Sequence, residues 1–195
     1  MNLCIISGSS RAESSSTNVS NYLKQQLIEI DSAIECELFN LAEIDLPMWD
    51  ENTKVSDFVE YKEILDSADG FVFVVPEWHG MVPPAVKNLF FLFSGVFRHK
   101  PAYLVTVSSG TGGRYPIAEM RMSSYKNSYI NYIPVNTIID RVNSVISNNA
   151  EYIAEKEFVK KRLDEGLHLL IEYSNAFKQI RNSDVVKEVR FQNGV

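Results

Sequence analysis

The chain has 195 residues, of which 45% are hydrophobic and 23% charged, a composition that suits one soluble globular domain with a sizeable core. The net charge of −6 argues against non-specific nucleic-acid binding, although a local basic pocket for phosphate remains compatible with it. No stretch is apolar for long enough to span a bilayer, and the N-terminus lacks the pattern of a signal peptide, so the expected compartment is cytoplasmic, with no membrane partner.

The run Leu3–Ile6, ending at Gly8, reads as a strand covered on both faces. A small polar stretch, Ser9 to Ser16, follows it. From Thr17, the apolar positions Val19, Tyr22, Leu23, Leu27 and Ile30 recur at helical spacing. Ile34 to Leu41 alternates as a strand does, and Asp45 to Asn52 reads as a loop. Phe58 to Ala68 again has helical spacing, and Phe71 to Val75 is the strongest buried strand. Pro76 to Pro84 reads as a loop and Ala85 to Phe97 as a helix. Ala102 to Val107 is a fourth strand, Ser108 to Tyr115 a loop, and Ile117 to Asn131 a helix. Ile133 to Ile139 is the fifth strand and Glu151 to Arg181 a long helix. The domain is expected to cover residues 1–181, with 182–195 as a tail.

Strands alternating with helices imply an α/β fold: a flavodoxin-like, doubly wound, five-stranded parallel sheet in the order 2-1-3-4-5, between two helical layers. Ligands of such sheets bind outside the carboxyl ends of the strands, beside the first strand. The loops after strands one, three and four therefore carry the expected site. Cys4 and Cys36, the two cysteines, fall in strand-like segments and read as buried reduced thiols. The three histidines lie far apart on different elements, and no metal-ligand spacing is present.

The first loop, Gly8-Ser9-Ser10-Arg11-Ala12-Glu13-Ser14-Ser15-Ser16-Thr17, leaves a buried strand and enters a helix. Hydroxyls and N–H groups at a helix start make an anion cradle, and Arg11 can add charge-assisted hydrogen bonds. The same residues also suit a plain serine-rich turn with a helix cap. The second loop, Pro76-Glu77-Trp78-His79-Gly80, runs through Pro83-Pro84 into a helix carrying Lys87-Asn88. The third, Ser108-Ser109-Gly110-Thr111-Gly112-Gly113-Arg114-Tyr115, allows close backbone approach at its glycines and opens the next helix.

The pairing of Gly-Ser-x-Arg-x-x-Ser after the first strand with Pro-Glu-Trp-x-Gly after the third, followed by Lys-Asn, resembles the NADPH-dependent FMN reductase family. That family includes chromate, quinone and azo-dye reductases, and the resemblance covers about the first two-thirds of the chain. It implies bound FMN, NADPH or NADH as co-substrate, and a small electron acceptor such as a flavin, quinone, azo dye or metal oxyanion. The implied phosphate ligands are Ser9, Arg11, Ser14 and Ser16. Pro76, Glu77, Trp78 and His79 would line the flavin ring, and Ser109, Gly112, Gly113 and Arg114 would close its other edge. N–H groups at the start of the fourth helix would face the pyrimidine end of the ring. No catalytic side chain is required, because the cofactor carries the chemistry. Glu77 reads as a loop-shaping acceptor rather than an acid.

Two departures stand out. His79 occupies a position where the family often has Asn, and Phe91 stands where many members have Asp. The family's habit implies a homodimer or a tetramer, and the missing carboxylate weakens the tetramer. A flavodoxin-like electron carrier, or a protein binding another phosphorylated ligand on the same fold, fits the same residues.

Overall fold

The computed structural model describes residues 1–188. Its sheet contains β1 (Asn2–Ser7), β2 (Glu35–Asn40), β3 (Gly70–Pro76), β4 (Pro101–Val107) and β5 (Asn131–Ile139), all parallel and in the order β2-β1-β3-β4-β5. The helices are α1 (Ser15–Ile30), α2 (Val59–Ser67), α3 (Pro84–Leu92), α4 (Arg114–Met122), α5 (Tyr125–Ser128), α6 (Glu157–Asn182) and α7 (Asp184–Lys187). The expected order and layering are therefore both present.

Alternation along the buried strands sends neighbouring side chains to opposite faces. Leu3, Ile5, Val72 and Val74 meet Val19, Leu23 and Leu27 of α1 and Leu163, Leu167 and Leu170 of α6. Cys4, Ile6, Phe71 and Phe73 meet Leu65 of α2, Val86 and Leu89 of α3 and Met120 of α4. Burying one such Leu or Phe contributes about 1.5–3 kcal/mol. The same alternation separates the cysteines. Cys36 pairs with Leu3, whereas Cys4 pairs with Glu37, so the two thiols lie on opposite faces. Both are buried and free, and burial pushes both thiols up, that of Cys36 to about 11.

Three helices differ from expectation in their boundaries. The helix expected to reach Phe97 stops at Leu92 and gives way to a 3-10 turn over Ser94–Phe97. The helix expected over Ile117 to Asn131 starts earlier, at Arg114, and breaks after Met122. The Ser123 and Ser124 hydroxyls donate to the carbonyls of Glu119 and Met120, and Ser124 turns to φ 66°. The last long helix begins at Glu157 rather than Glu151, because Tyr152 forms a β-bridge with Ile146 and Ala154–Lys156 form a 3-10 turn. Part of the expected tail is helical, in α7, and residues 189–195 lie outside the described residues. Among the described residues, no helix is long and apolar enough to cross a membrane.

At the end of the sheet away from the three loops, Asp69 accepts the N–H of Asn2 and pairs with Lys178 and Arg181, joining α6 to the start of β3. Beside it, the buried Lys100 ammonium donates to the carbonyls of Leu65 and Asp66 at the end of α2. Burial lowers its pKa to about 8. The unfolded chain holds this proton up to the ordinary lysine value of about 10.4, so between pH 8 and that value the unfolded state binds more protons. Native stability contributed here therefore rises with pH across that window, by about 3 kcal/mol. In chemical denaturation, wild type should gain stability relative to Lys100→Met from pH 7 to pH 10. A pH-independent difference would contradict the assignment.

Candidate functional site

The first loop begins where β1 ends, at Gly8, whose N–H donates to the Val74 carbonyl at 2.9 Å. A Cβ on Gly8 would stand 2.7 Å from Cγ2 of Val86 and 3.0 Å from that carbonyl, so close packing of strand and helix requires glycine. Ser9 is buried, and its Oγ accepts the N–H of Arg11. Ser14 is the N-cap of α1. Its Oγ accepts the N–H of Thr17 at 3.1 Å and lies 3.0 Å from Thr17 Oγ1, which also reaches Ser7 Oγ. The N–H groups of Ser15 and Ser16 fall in the first turn, where a helix offers no internal acceptor. Arg11 is exposed, with its guanidinium carbon 5.7 Å from the centre of the Trp78 ring.

The second loop is a tight hairpin. Trp78 and Met81 exchange backbone hydrogen bonds of 3.1 and 2.8 Å, and His79 and Gly80 between them have φ of 51° and 73°. Two consecutive left-handed residues make the two-residue turn that matches strand twist. The expected His79 therefore sits exposed at the tip. Behind the hairpin, Asn88 of α3 accepts the N–H of Trp49 and donates to the Pro47 carbonyl, fixing the loop before α2. Lys87 pairs with Glu119, whose other oxygen accepts the N–H of Val82 at 2.7 Å. The ion pair and this hydrogen bond hold the Glu119 carboxyl below the usual carboxylate range, against the opposing effect of burial.

The third loop is held by the second. Glu77 Oε2 accepts the N–H of Gly113 at 2.7 Å and that of Tyr115 at 3.3 Å. Gly113, at φ 91°, is the N-cap of α4 and brings no capping side chain. Glu77 supplies the missing cap from another loop, placing a carboxylate at the positive end of the helix. This bears out Glu77 as a loop-shaping acceptor. The N–H groups of Gly113 and Tyr115 at this helix start are thereby engaged with the Glu77 carboxylate. A Cβ on Gly112 would stand 2.9 Å from Ser108 Oγ and 3.0 Å from Glu77 Oε1, so that glycine serves the packing of the loop itself.

The loops converge on one cavity of about 160 Å³ at the carboxyl end of the sheet. Ser9, Arg11, Ser14 and Ser16 line it from the first loop, Pro76, Glu77 and Trp78 from the second, and Ser109 from the third. Gly112, Gly113, Arg114 and His79 are not among its walls. Ser15, Ser108, Val107 and Val142 are walls that the sequence reading missed. Ser15 and Ser108 neighbour expected residues, but Val142 follows β5 and carries no motif. Its neighbour Asn143 accepts the Ser15 hydroxyl at 3.2 Å, drawing that segment to the first loop.

A larger groove of about 660 Å³ lies between α3 and α4, walled by Trp49, Phe90, Phe91, Met120 and Met122. Among the described residues, the basic groups that line it are Lys87, already paired with Glu119, and Lys126. The hydroxyls of the first loop and the first turn of α1 line the smaller cavity instead.

The model of the NADPH-dependent FMN reductase family matches residues 1–140. The chain belongs to this family. It is accordingly an NAD(P)H-dependent FMN oxidoreductase, with FMN as cofactor and NAD(P)H as co-substrate. An NADPH azoreductase from Bacillus sp. strain OY1-2 is 31% identical over 144 residues, covering 72% of this chain and 77% of that protein. An FMN-dependent NADPH-azoreductase from Staphylococcus saprophyticus is 32% identical over 126 residues, covering 60% of this chain and 66% of the relative. Among solved structures, a flavoenzyme NAD(P)H:(acceptor) oxidoreductase from Paracoccus denitrificans superposes with a TM-score of 0.65 at 16% identity, over 90% of this chain and 98% of that one. That likeness speaks for the shared fold alone.

Proposed function

We propose that this FMN reductase takes hydride from NADPH or NADH at the three-loop site and delivers the electrons to a small acceptor of the quinone or azo-arene class. The observation that carries the reading is the convergence of three loops, separated in sequence, on one cavity rich in hydroxyls and helix-start N–H groups. That donor set fits a phosphate monoester. The cavity is smaller than the roughly 300 Å³ at which whole-ligand pockets begin, so it suits the phosphate end of FMN, with the ring lying across the open loops.

When bound, FMN accepts a hydride and releases two electrons. The chain's own residues bind and orient. Ser9, Ser14 and Ser16, with the first-turn N–H groups, hold the phosphate, and Arg11 neutralises it. Pro76, Glu77, Trp78 and His79 border the ring, and Ser109 with Gly112, Gly113 and Arg114 borders the opposite edge. Glu77 acts there through its grip on the third loop. With a quinone, the balance is NAD(P)H + quinone + H⁺ → NAD(P)⁺ + hydroquinone. No side chain needs to act as acid or base in the hydride step.

The proposed assembly is a homodimer. Phe91, exposed where many members of the family have a carboxylate, argues against the tetramer, and sedimentation equilibrium decides between them. Arg11→Ala should weaken FMN binding about tenfold, by loss of a charge-assisted phosphate contact; unchanged affinity would remove Arg11 from the site. Steady-state NADPH oxidation by the FMN-loaded protein should depend on added naphthoquinone or azo-arene. A protein that takes up FMN yet oxidises no NADPH would instead be an electron carrier.

A further inference from the structure

We infer that Tyr115, with Trp78 and Met81, forms the wall on which a planar aromatic acceptor stacks, which selects arenes over metal complexes and oxyanions. This inference rests on the reductase reading above. Tyr115 is the second residue of α4 and is 68% exposed. It is nevertheless held in place. Its N–H is tied to Glu77, and the ring lies against the hairpin turn, where a Cβ on Gly80 would stand 3.6 Å from Tyr115 Cδ2. Glycine presents no side chain there, so the ring is backed by main chain and otherwise open to solvent.

Trp78 and Met81, cross-strand partners at the base of the same turn, are 44% and 51% exposed. One exposed apolar residue is ordinary on a protein surface. Three large ones around a single two-residue turn, with Trp78 also lining the three-loop cavity, make a binding surface. Flat ligands stack favourably on aromatic rings, and a thioether adds favourable contact with an aromatic edge. Because the Tyr115 ring is already positioned by its helix turn, by Glu77 and by Gly80, stacking costs little ordering. Hexacyanoferrate and chromate have no flat face to offer this wall.

The test compares Tyr115→Ala and Tyr115→Phe, both of which keep the backbone N–H that Glu77 accepts. Tyr115→Ala is expected to raise the KM for 2-methyl-1,4-naphthoquinone about tenfold. It should also weaken the binding of 2-naphthoate, a flat arene that takes no electrons under these conditions, by a similar factor in calorimetry. The KM for ferricyanide should stay within about twofold, and Tyr115→Phe should retain wild-type values for all three, since the ring remains. Equal shifts for naphthoquinone and ferricyanide, or an alanine variant that behaves as wild type, would overturn the wall. The underlying reading is checked before any acceptor is added: bound flavin that NADPH fails to bleach overturns the reductase reading, whereas normal bleaching with unchanged arene constants overturns the wall alone.

Discussion

Glu77→Ala is expected to lower FMN affinity by tenfold or more while leaving the sheet folded. The carboxylate accepts two N–H groups at the start of α4, a helix whose own N-cap is a glycine at φ 91°. A hydrogen bond to a charged group is worth about 1.5–3 kcal/mol, so its loss frees the third loop from the second and separates two walls of the cavity. Glu77→Gln keeps an acceptor oxygen but loses the charge at the helix terminus, and should fall between wild type and the alanine variant. Titration of each apoprotein with FMN, followed by quenching of flavin fluorescence, gives the order directly. Wild-type affinity in Glu77→Ala would mean that the geometry of the third loop is immaterial to the cofactor.

The largest effect on stability is expected at Gly166, on the buried face of α6. A Cβ there would stand 2.1 Å from Cζ of Tyr103 and 2.4 Å from its hydroxyl oxygen. Tyr103 is fully buried on β4 and cannot swing away, because its hydroxyl is 2.6 Å from Thr137 Oγ1 and donates to the Arg162 carbonyl. Alanine normally favours a helix over glycine by about 1 kcal/mol. Here overpacking by one methyl in a locked core overrides that gain, and Gly166→Ala should destabilise the protein by about 3 kcal/mol. Tyr103→Leu, harmful alone, should recover part of the loss in the double variant. The two changes should therefore couple strongly in a double-mutant cycle read by chemical denaturation. A neutral or stabilising Gly166→Ala would show that α6 sits further from β4 than described.

The parts of this molecule that could be read from the residues are those governed by local chemistry. Apolar runs such as Phe71 to Val75 announce strands covered on both sides, and their alternation with helical spacing leaves one economical topology. That Ser9, Arg11, Ser14 and Ser16 line one cavity was legible because a loop leaving the first strand of such a sheet emerges at its carboxyl end, beside the loops after strands three and four. What escaped depends on contacts between distant residues. Glu77 caps a helix 36 residues further on, and no spacing rule connects the two. Val142 reaches the cavity because Asn143 accepts from Ser15, across 128 residues. The break after Met122 was hidden because apolar spacing continued past it, while the Ser123 and Ser124 hydroxyls took the backbone carbonyls for themselves.

The visible absorption spectrum of the purified protein, recorded before and after adding FMN and then NADPH without oxygen, bears most directly on the assignment of the three-loop site to a flavin that takes hydride. The expected result is uptake of FMN, with a flavin band that bleaches on adding NADPH and returns on adding naphthoquinone. A protein that takes up no flavin, or whose flavin band persists under NADPH, would contradict it.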